Sequence, residues 1–309
     1  MTRIVRSIGL LASAAGLAFV IRALVSEWPE VGPALRSAQP SWLVAAFVLA
    51  VIGMTHAAAG WGLVFRILGP RVPLHRAAAL YFRGEIAKYV PGGMWAVLGR
   101  GELVRREGVT ASVAYSSVLL SLGALYLACA VVVGVFVPWA AGLSPGPAAA
   151  VVAIVVGGLV GLHPRVLGLV RRGAERISRR PVPVDVPSWG ASAALVLFYT
   201  PVWLSVGTAT WSVLRALDIA ASWPEVVFAT AAAWLVGFLA VPIPGGIGIR
   251  EAIFVAALAS VDPGPASAAA LVSRVLFMIV DGGGAALSWL VRSPAPNLGA
   301  EEKRDIPSV

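Results

Sequence analysis

Charge is scarce in this chain. Only 13% of its 309 residues are charged, about half of the ~25% usual in a soluble domain. A sizeable soluble domain is excluded on that ground. Cysteine is nearly absent, Cys129 standing alone in an apolar run. That excludes a disulfide framework and a cysteine metal site, and leaves a small core residue as the plain reading. The histidines, His56, His75 and His163, are scattered, so none has metal-ligand spacing to another. No phosphate-binding loop of the ATPase type and no nucleophile elbow is present. The chain is therefore expected to be no enzyme, to hold no metal and to need no cofactor.

Long apolar runs are what it has instead. Hydrophobic residues make up 59% and the mean hydropathy is +0.86. The fold class that follows is an all-α polytopic membrane protein. Apolar runs at 8–25, 41–67, 111–139, 148–162, 189–214 and 266–291 give about six full spans. Arginine and lysine cluster at Arg3 and Arg6, from Arg66 to Lys88, from Arg100 to Arg106 and from Arg165 to Arg180. The positive-inside rule makes those ends cytoplasmic and puts both termini in the cytoplasm. The same rule explains the net charge of +9 without nucleic acid as a partner. Topology is also the favoured reading of the basic loop 163–187, with a lipid-surface role as the alternative. Richness in Ala, Gly, Pro and Arg points to a bacterial inner membrane. One integral membrane domain is expected over 1–292, with half one about 1–140, half two about 146–292, and a mobile tail over 293–309.

Two stretches break the pattern. Pro244-Gly245-Gly246-Ile247-Gly248-Ile249-Arg250-Glu251 separates two apolar segments between Val226 and Ala259. Lys88-Tyr89-Val90-Pro91-Gly92-Gly93 followed by Arg100 and Glu102 does the same between Ala77 and Ala96. Pro and Gly cannot continue a helix there. Broken backbone at membrane depth survives only where protein or a water-filled cavity satisfies it. The first break has positive charge on both flanks and the second on neither, so the two are expected to dip in from opposite faces. They are read as two re-entrant broken helices in an inverted repeat, with a site between the halves. Two crossings for each dip would leave the parity unchanged.

The candidate site residues follow from that reading. A helix starting after each Pro-Gly-Gly would offer unpaired N–H groups to a phosphate. Arg100 and Arg250 would add bidentate charge, with Lys88 and Arg83 nearby. Glu102 and Glu251 would hold these arginines or accept an amine; alternatively each Arg–Glu pair only neutralises itself. Arg274 and Asp281 share a helix face, as a structural pair or as a proton or substrate contact. Gly282, Gly283 and Gly284 would permit close helix approach. Glu85 and Lys88 are i, i+3 neighbours that could simply pair. His56 is read as a hydrogen-bonded structural histidine rather than a proton relay.

These two blocks, from Tyr81-Phe82-Arg83-Gly84 through Gly93 with Gly99-Arg100 and Glu102, and from Pro244 through Glu251, resemble the lysylphosphatidylglycerol synthase transmembrane family, also called flippase-like or UPF0104 proteins. The likeness covers nearly the whole chain up to about Val291, although Met94-Trp95-Ala96 stands where the family is more Gly-rich. The resemblance implies a membrane domain that moves lipids between leaflets. The soluble aminoacyl-transferase domain of the bifunctional members is not expected here, nor is lysyl transfer. A lipid translocase for a phospholipid or polyprenyl-phosphate lipid is the leading expectation. Its partner would be a lipid headgroup, and homo-oligomerisation is left open. The alternative is an enzyme or accessory subunit acting on lipid-linked sugars in cell-envelope glycan synthesis.

Overall fold

The computed structural model describes residues 25, 29, 32–70, 72–89, 95–139, 145–161, 163–178, 188–239 and 248–291. The first apolar run up to residue 24, both Pro-Gly-Gly stretches and the C-terminal tail lie outside these residues. All regular structure among the described residues is helical.

Four helices are long and apolar enough to cross a membrane: α1 (Pro40–Leu68), α4 (Ala111–Phe136, extended by a 3-10 turn to Trp139), and two described next. Between α1 and α4 lie α2 (Leu74–Glu85), a 3-10 turn over Ile86–Tyr89, and α3 (Trp95–Arg105). Two linking helices follow, α5 (Pro145–Gly161) and α6 (Pro164–Ser178). The second half repeats the first order. It has a long α7 (Trp189–Ala216), an arm α8 (Trp223–Leu239), a short α9 (Ile249–Ala257) and a long α10 (Pro263–Leu290).

Four of the six expected spans are thus seen as full-length helices. The first lies outside the described residues. The fourth, α5, has only 17 residues, about 25 Å against a ~30 Å hydrocarbon core. The basic segment read as a loop is a helix, α6. Pro164 opens it, and Val166, Leu167 and Leu169 recur at helical spacing among Arg165, Arg172 and Arg176. Arginines lying between apolar residues had suggested a loop, whereas they form the polar side of an amphipathic helix.

The helix contacts follow one pattern in the two halves. Exchanging α1 to α4 with α7 to α10 maps every principal helix contact onto another observed contact. Thus α2 packs on α10 as α8 packs on α4. The pair α1·α4 answers α7·α10, and α1·α10 answers α7·α4. In each half the two helices flanking a Pro-Gly-Gly stretch pack against each other, α2 on α3 and α8 on α9. The contact between α1 and α7 is its own counterpart and forms the seam of the molecule.

That seam is close. Gly60 of α1 faces the Tyr199 ring, where an added Cβ would come within 2.5 Å of it. Ser205 donates to the Leu49 carbonyl at 2.7 Å, and His56 Nε2 donates to the Phe198 carbonyl at 2.8 Å. His56 also stacks on the Phe198 ring, with centroids 4.3 Å apart. The histidine therefore ties α1 to α7, as the structural reading required. Cys129 is buried, its thiol donating to the Ala231 carbonyl. Of the three adjacent glycines on α10, Gly284 makes the close approach, against Phe82 of α2.

Candidate functional site: two arginines on two aromatic rings

Each half carries the same local construction, readable residue by residue. Tyr81 precedes Gly84 by three positions, and Gly84 precedes Pro91 by seven. Trp234 precedes Gly237 by three, and Gly237 precedes Pro244 by seven. Three residues along a helix share one face. In each half the arginine beyond the break returns to that face. Arg100 lays its stem on Gly84 and its guanidinium over Tyr81, 4.6 Å from the ring centroid. Arg250 lays its stem on Gly237 and its guanidinium over Trp234, 3.5 Å from the centroid. Glycine is needed at both places. A Cβ on Gly84 or Gly237 would fall 2.2 or 2.4 Å from the arginine Cγ. Cation–π contact of this kind is worth about 2 kcal/mol when desolvated.

The halves then diverge at one position. The residue after Gly84 is Glu85; the residue after Gly237 is Phe238. Glu85 is buried and forms an ion pair with buried Arg100. Its other oxygen accepts from Lys88 at 2.8 Å. Lys88 in turn reaches Asp281 Oδ2 on α10 at 2.6 Å, and the Tyr89 hydroxyl donates to the same oxygen at 2.7 Å. Two cations and two carboxylates thus make a neutral buried network joining α2, α3 and α10. Phe238, at the position matching Glu85, offers no charge and stacks on Tyr126 with centroids 3.6 Å apart.

Arg250 is consequently different from Arg100. Among the described residues no carboxylate pairs with it, and its Nε is buried with no hydrogen-bond partner. Its neighbour Glu251 is committed elsewhere. One Glu251 oxygen accepts from the Gly248 N–H at 2.6 Å, capping α9, where Gly248 takes a positive φ of 81°. The other accepts from Arg274 Nη1 of α10 at 3.3 Å. Around Arg250 lies a small, partly open cavity of about 30 Å³, lined by Trp234, Glu251, Ser273, Arg274 and Thr230 among others. The hydroxyls of Thr230 and Ser273 are buried there without a hydrogen-bond partner. Among the described residues, two cations and one carboxylate line this pocket, an excess of one positive charge.

Trp234 connects the two groups, since the Lys88 ammonium lies 5.7 Å from the indole that carries Arg250.

A family model described as "Lysylphosphatidylglycerol synthase TM region" matches residues 6–281. The chain belongs to that family. The matched stretch of this lysylphosphatidylglycerol synthase TM region member runs from before the first described helix to Asp281 and includes both Pro-Gly-Gly stretches. No curated protein matches the chain.

The predicted site residues divide accordingly. Lys88, Arg100 and Asp281 are gathered in the neutral network, and Arg250, Glu251 and Arg274 around the cavity, with Gly248 at the start of α9. Glu102 does not hold Arg100. It pairs with Arg105 at 3.0 Å and Arg106 at 3.4 Å on the solvated side of α3. Position 102 is two residues past Arg100 and so falls on another helix face. Arg83 serves the end of α10, donating to the Ser288 hydroxyl at 3.2 Å and its carbonyl at 2.5 Å. Pro91, Gly92, Gly93, Pro244, Gly245 and Gly246 lie outside the described residues. Arg274 and Asp281 do not pair with each other, each finding a partner across a helix interface. Tyr81, Trp234, Thr230 and Ser273 were missed by sequence reasoning, and Glu85 was seen only as a partner for Lys88. The aromatic-x-x-Gly spacing before each proline was the available signal for the first two.

Gly237 gives a sharp test of this geometry. In Gly237→Ala the added methyl displaces the Arg250 stem from α8. Trp234 fluorescence should change, and if the cavity takes an anionic lipid its binding should weaken about tenfold, the loss of roughly 1.4 kcal/mol of contact. Unchanged binding with a folded protein would show that Arg250 needs no seat on α8.

Proposed function

We propose that this multi-pass membrane protein is a lipid translocase, which binds the phosphate of a phospholipid or polyprenyl-phosphate lipid and carries it between leaflets. One observation carries the reading. Arg250 lies on Trp234 at a cavity shared with Arg274 and two unpartnered hydroxyls, and no described carboxylate forms an ion pair with it. An uncompensated cation in a low-dielectric site is costly. Retaining one fits a site whose anion arrives from outside the chain. The guanidinium offers two parallel donors to a phosphate, and the hydroxyls of Thr230 and Ser273 offer neutral ones. The family description, which names a synthase for a phospholipid, is consistent with a lipid as that anion.

The cavity expected between the halves is lined by residues of α7 to α10 alone, so alternating access in this proposal comes from α8 and α9 moving against α10, exposing it first to one leaflet and then to the other. In this proposal the halves are inverted, the breaks dip from opposite faces, and the chain lies in a bacterial inner membrane with both termini cytoplasmic. The chain itself catalyses no bond change.

Reconstitution tests it. Liposomes containing the purified chain should scramble or translocate tail-labelled phosphatidylglycerol, phosphatidylethanolamine or polyprenyl phosphate faster than empty vesicles. Rates equal to those of empty vesicles for all three lipids would overturn the proposal.

A further inference from the structure

The neutral network beside the cavity holds more than a structural lock requires. Asp281 is 1% exposed, yet only one of its oxygens is used. Oδ2 receives both Lys88 and Tyr89, while Oδ1 is buried with no hydrogen-bond partner. Lys88 bridges two carboxylates and keeps 21% of its side chain exposed. Its ammonium already lies 5.7 Å from the indole on which Arg250 rests. Trp234 also lines the cavity, so the ammonium and the cavity share that indole.

We infer that Asp281 is a proton-binding site coupled to the anion, so that a monoanionic lipid phosphate and one proton enter the site together; this rests on the reading of Arg250 given above. The argument is one of charge. Across both groups stand four cations, Lys88, Arg100, Arg250 and Arg274, and three carboxylates, Glu85, Glu251 and Asp281. The monoanion offsets the excess charge at Arg250, whereas an Asp281 carboxylate left without Lys88 would be a buried, unpaired anion, a large cost in a low-dielectric site. When the anion draws Lys88 away, Asp281 loses its cation and takes up a proton, its C–O⁻ becoming C–O–H. The proton comes from water and Lys88 stays an ammonium. The net charge of the site is then the same before and after, so the membrane potential does not oppose the step. Among the described residues the titratable or charged groups facing Asp281 are Lys88 and Tyr89 of the 3-10 turn and, through Lys88, Glu85 of α2. On its own helix the nearest is Arg274, two turns away and paired with Glu251 of α9.

Reciprocity makes this measurable without transport. The full chain in detergent is titrated with dihexanoyl phosphatidylglycerol, whose phosphodiester does not change charge from about pH 5 to about pH 8. Proton uptake is read by an indicator dye in weak buffer, and affinity by calorimetry. The expected result is uptake of about one proton per probe bound, with affinity falling by up to about tenfold per pH unit as pH rises. Uptake should vanish in Asp281→Asn, persist in Asp281→Glu and vanish also in Lys88→Met, which already lacks the exchangeable cation. Arg250-dependent binding with no proton uptake in the unaltered chain would overturn the inference and leave a static lock. Uptake persisting in Asp281→Asn would overturn it too. Absence of binding at every pH, or binding indifferent to Arg250→Gln, would overturn the reading of Arg250 and this inference with it.

Discussion

Arg250→Gln should lower lipid transport by about thirtyfold to a hundredfold while leaving the protein folded. Hydrogen bonds to a charged group contribute about 1.5–3 kcal/mol, and each 1.4 kcal/mol is about tenfold in binding. The guanidinium is the single cation at the cavity with no described carboxylate on it, so its loss falls directly on the anion. Folding should survive, because no ion pair among the described residues breaks and Gln fills the Gly237 seat nearly as well. Arg274→Gln is less diagnostic, since it also unpairs Glu251 and disturbs the cap of α9. The measurement is the initial rate of transbilayer movement in liposomes, with thermal unfolding as the control. A rate within twofold of the unaltered chain, in folded protein, would remove Arg250 from the mechanism.

Glu85→Leu should have the opposite signature, a large loss of stability. The carboxylate is buried between Arg100 and Lys88, and Arg100 is only 3% exposed. Removing one partner of a buried pair costs about 3–5 kcal/mol, because the remaining charge is left in a low-dielectric interior. Arg100 Nε and Nη1 are already buried without hydrogen-bond partners, so no spare contact exists to take over. The double variant Glu85→Leu, Arg100→Leu should regain most of the loss, since both charges are then gone. Unfolding in a denaturing detergent, followed by tryptophan fluorescence, reads both effects. Should the double variant be as unstable as the single, the damage comes from packing around position 85 and the ion pair is not what holds α2 to α3.

The two halves therefore put one motif to different uses. In the first, Glu85 closes the arginine into a structural network. In the second, Phe238 leaves it open toward a cavity. A single-position difference in an otherwise matching frame separates the lock from the proposed site.

Much of this was legible in the chain. Apolar length alone located α1, α4, α7 and α10, because a bilayer fixes the length of a spanning helix. The paired Pro-Gly-Gly stretches drew attention to Arg100 and Arg250. Pairing was harder to read. Arg100 was matched with Glu102, close in sequence, while its carboxylate is Glu85, fifteen residues earlier on the opposing arm. Proximity along the chain is a poor guide where two helices fold back on each other. Asp281 was visible as a membrane-depth carboxylate, but Lys88, 193 positions away, could not be named as its partner without the α2–α10 contact. The orphan hydroxyls of Thr230 and Ser273 leave no trace in composition. Serine and threonine in membrane helices ordinarily bond their own backbone, as Thr210 and Ser212 do here.

The most direct measurement is an experimental structure of the full chain with dihexanoyl phosphatidylglycerol bound. The account requires the phosphate in the cavity between α8, α9 and α10, within about 3 Å of the Arg250 guanidinium. A phosphate seated on Arg100, or Arg250 found neutralised by a carboxylate of its own chain, would contradict it.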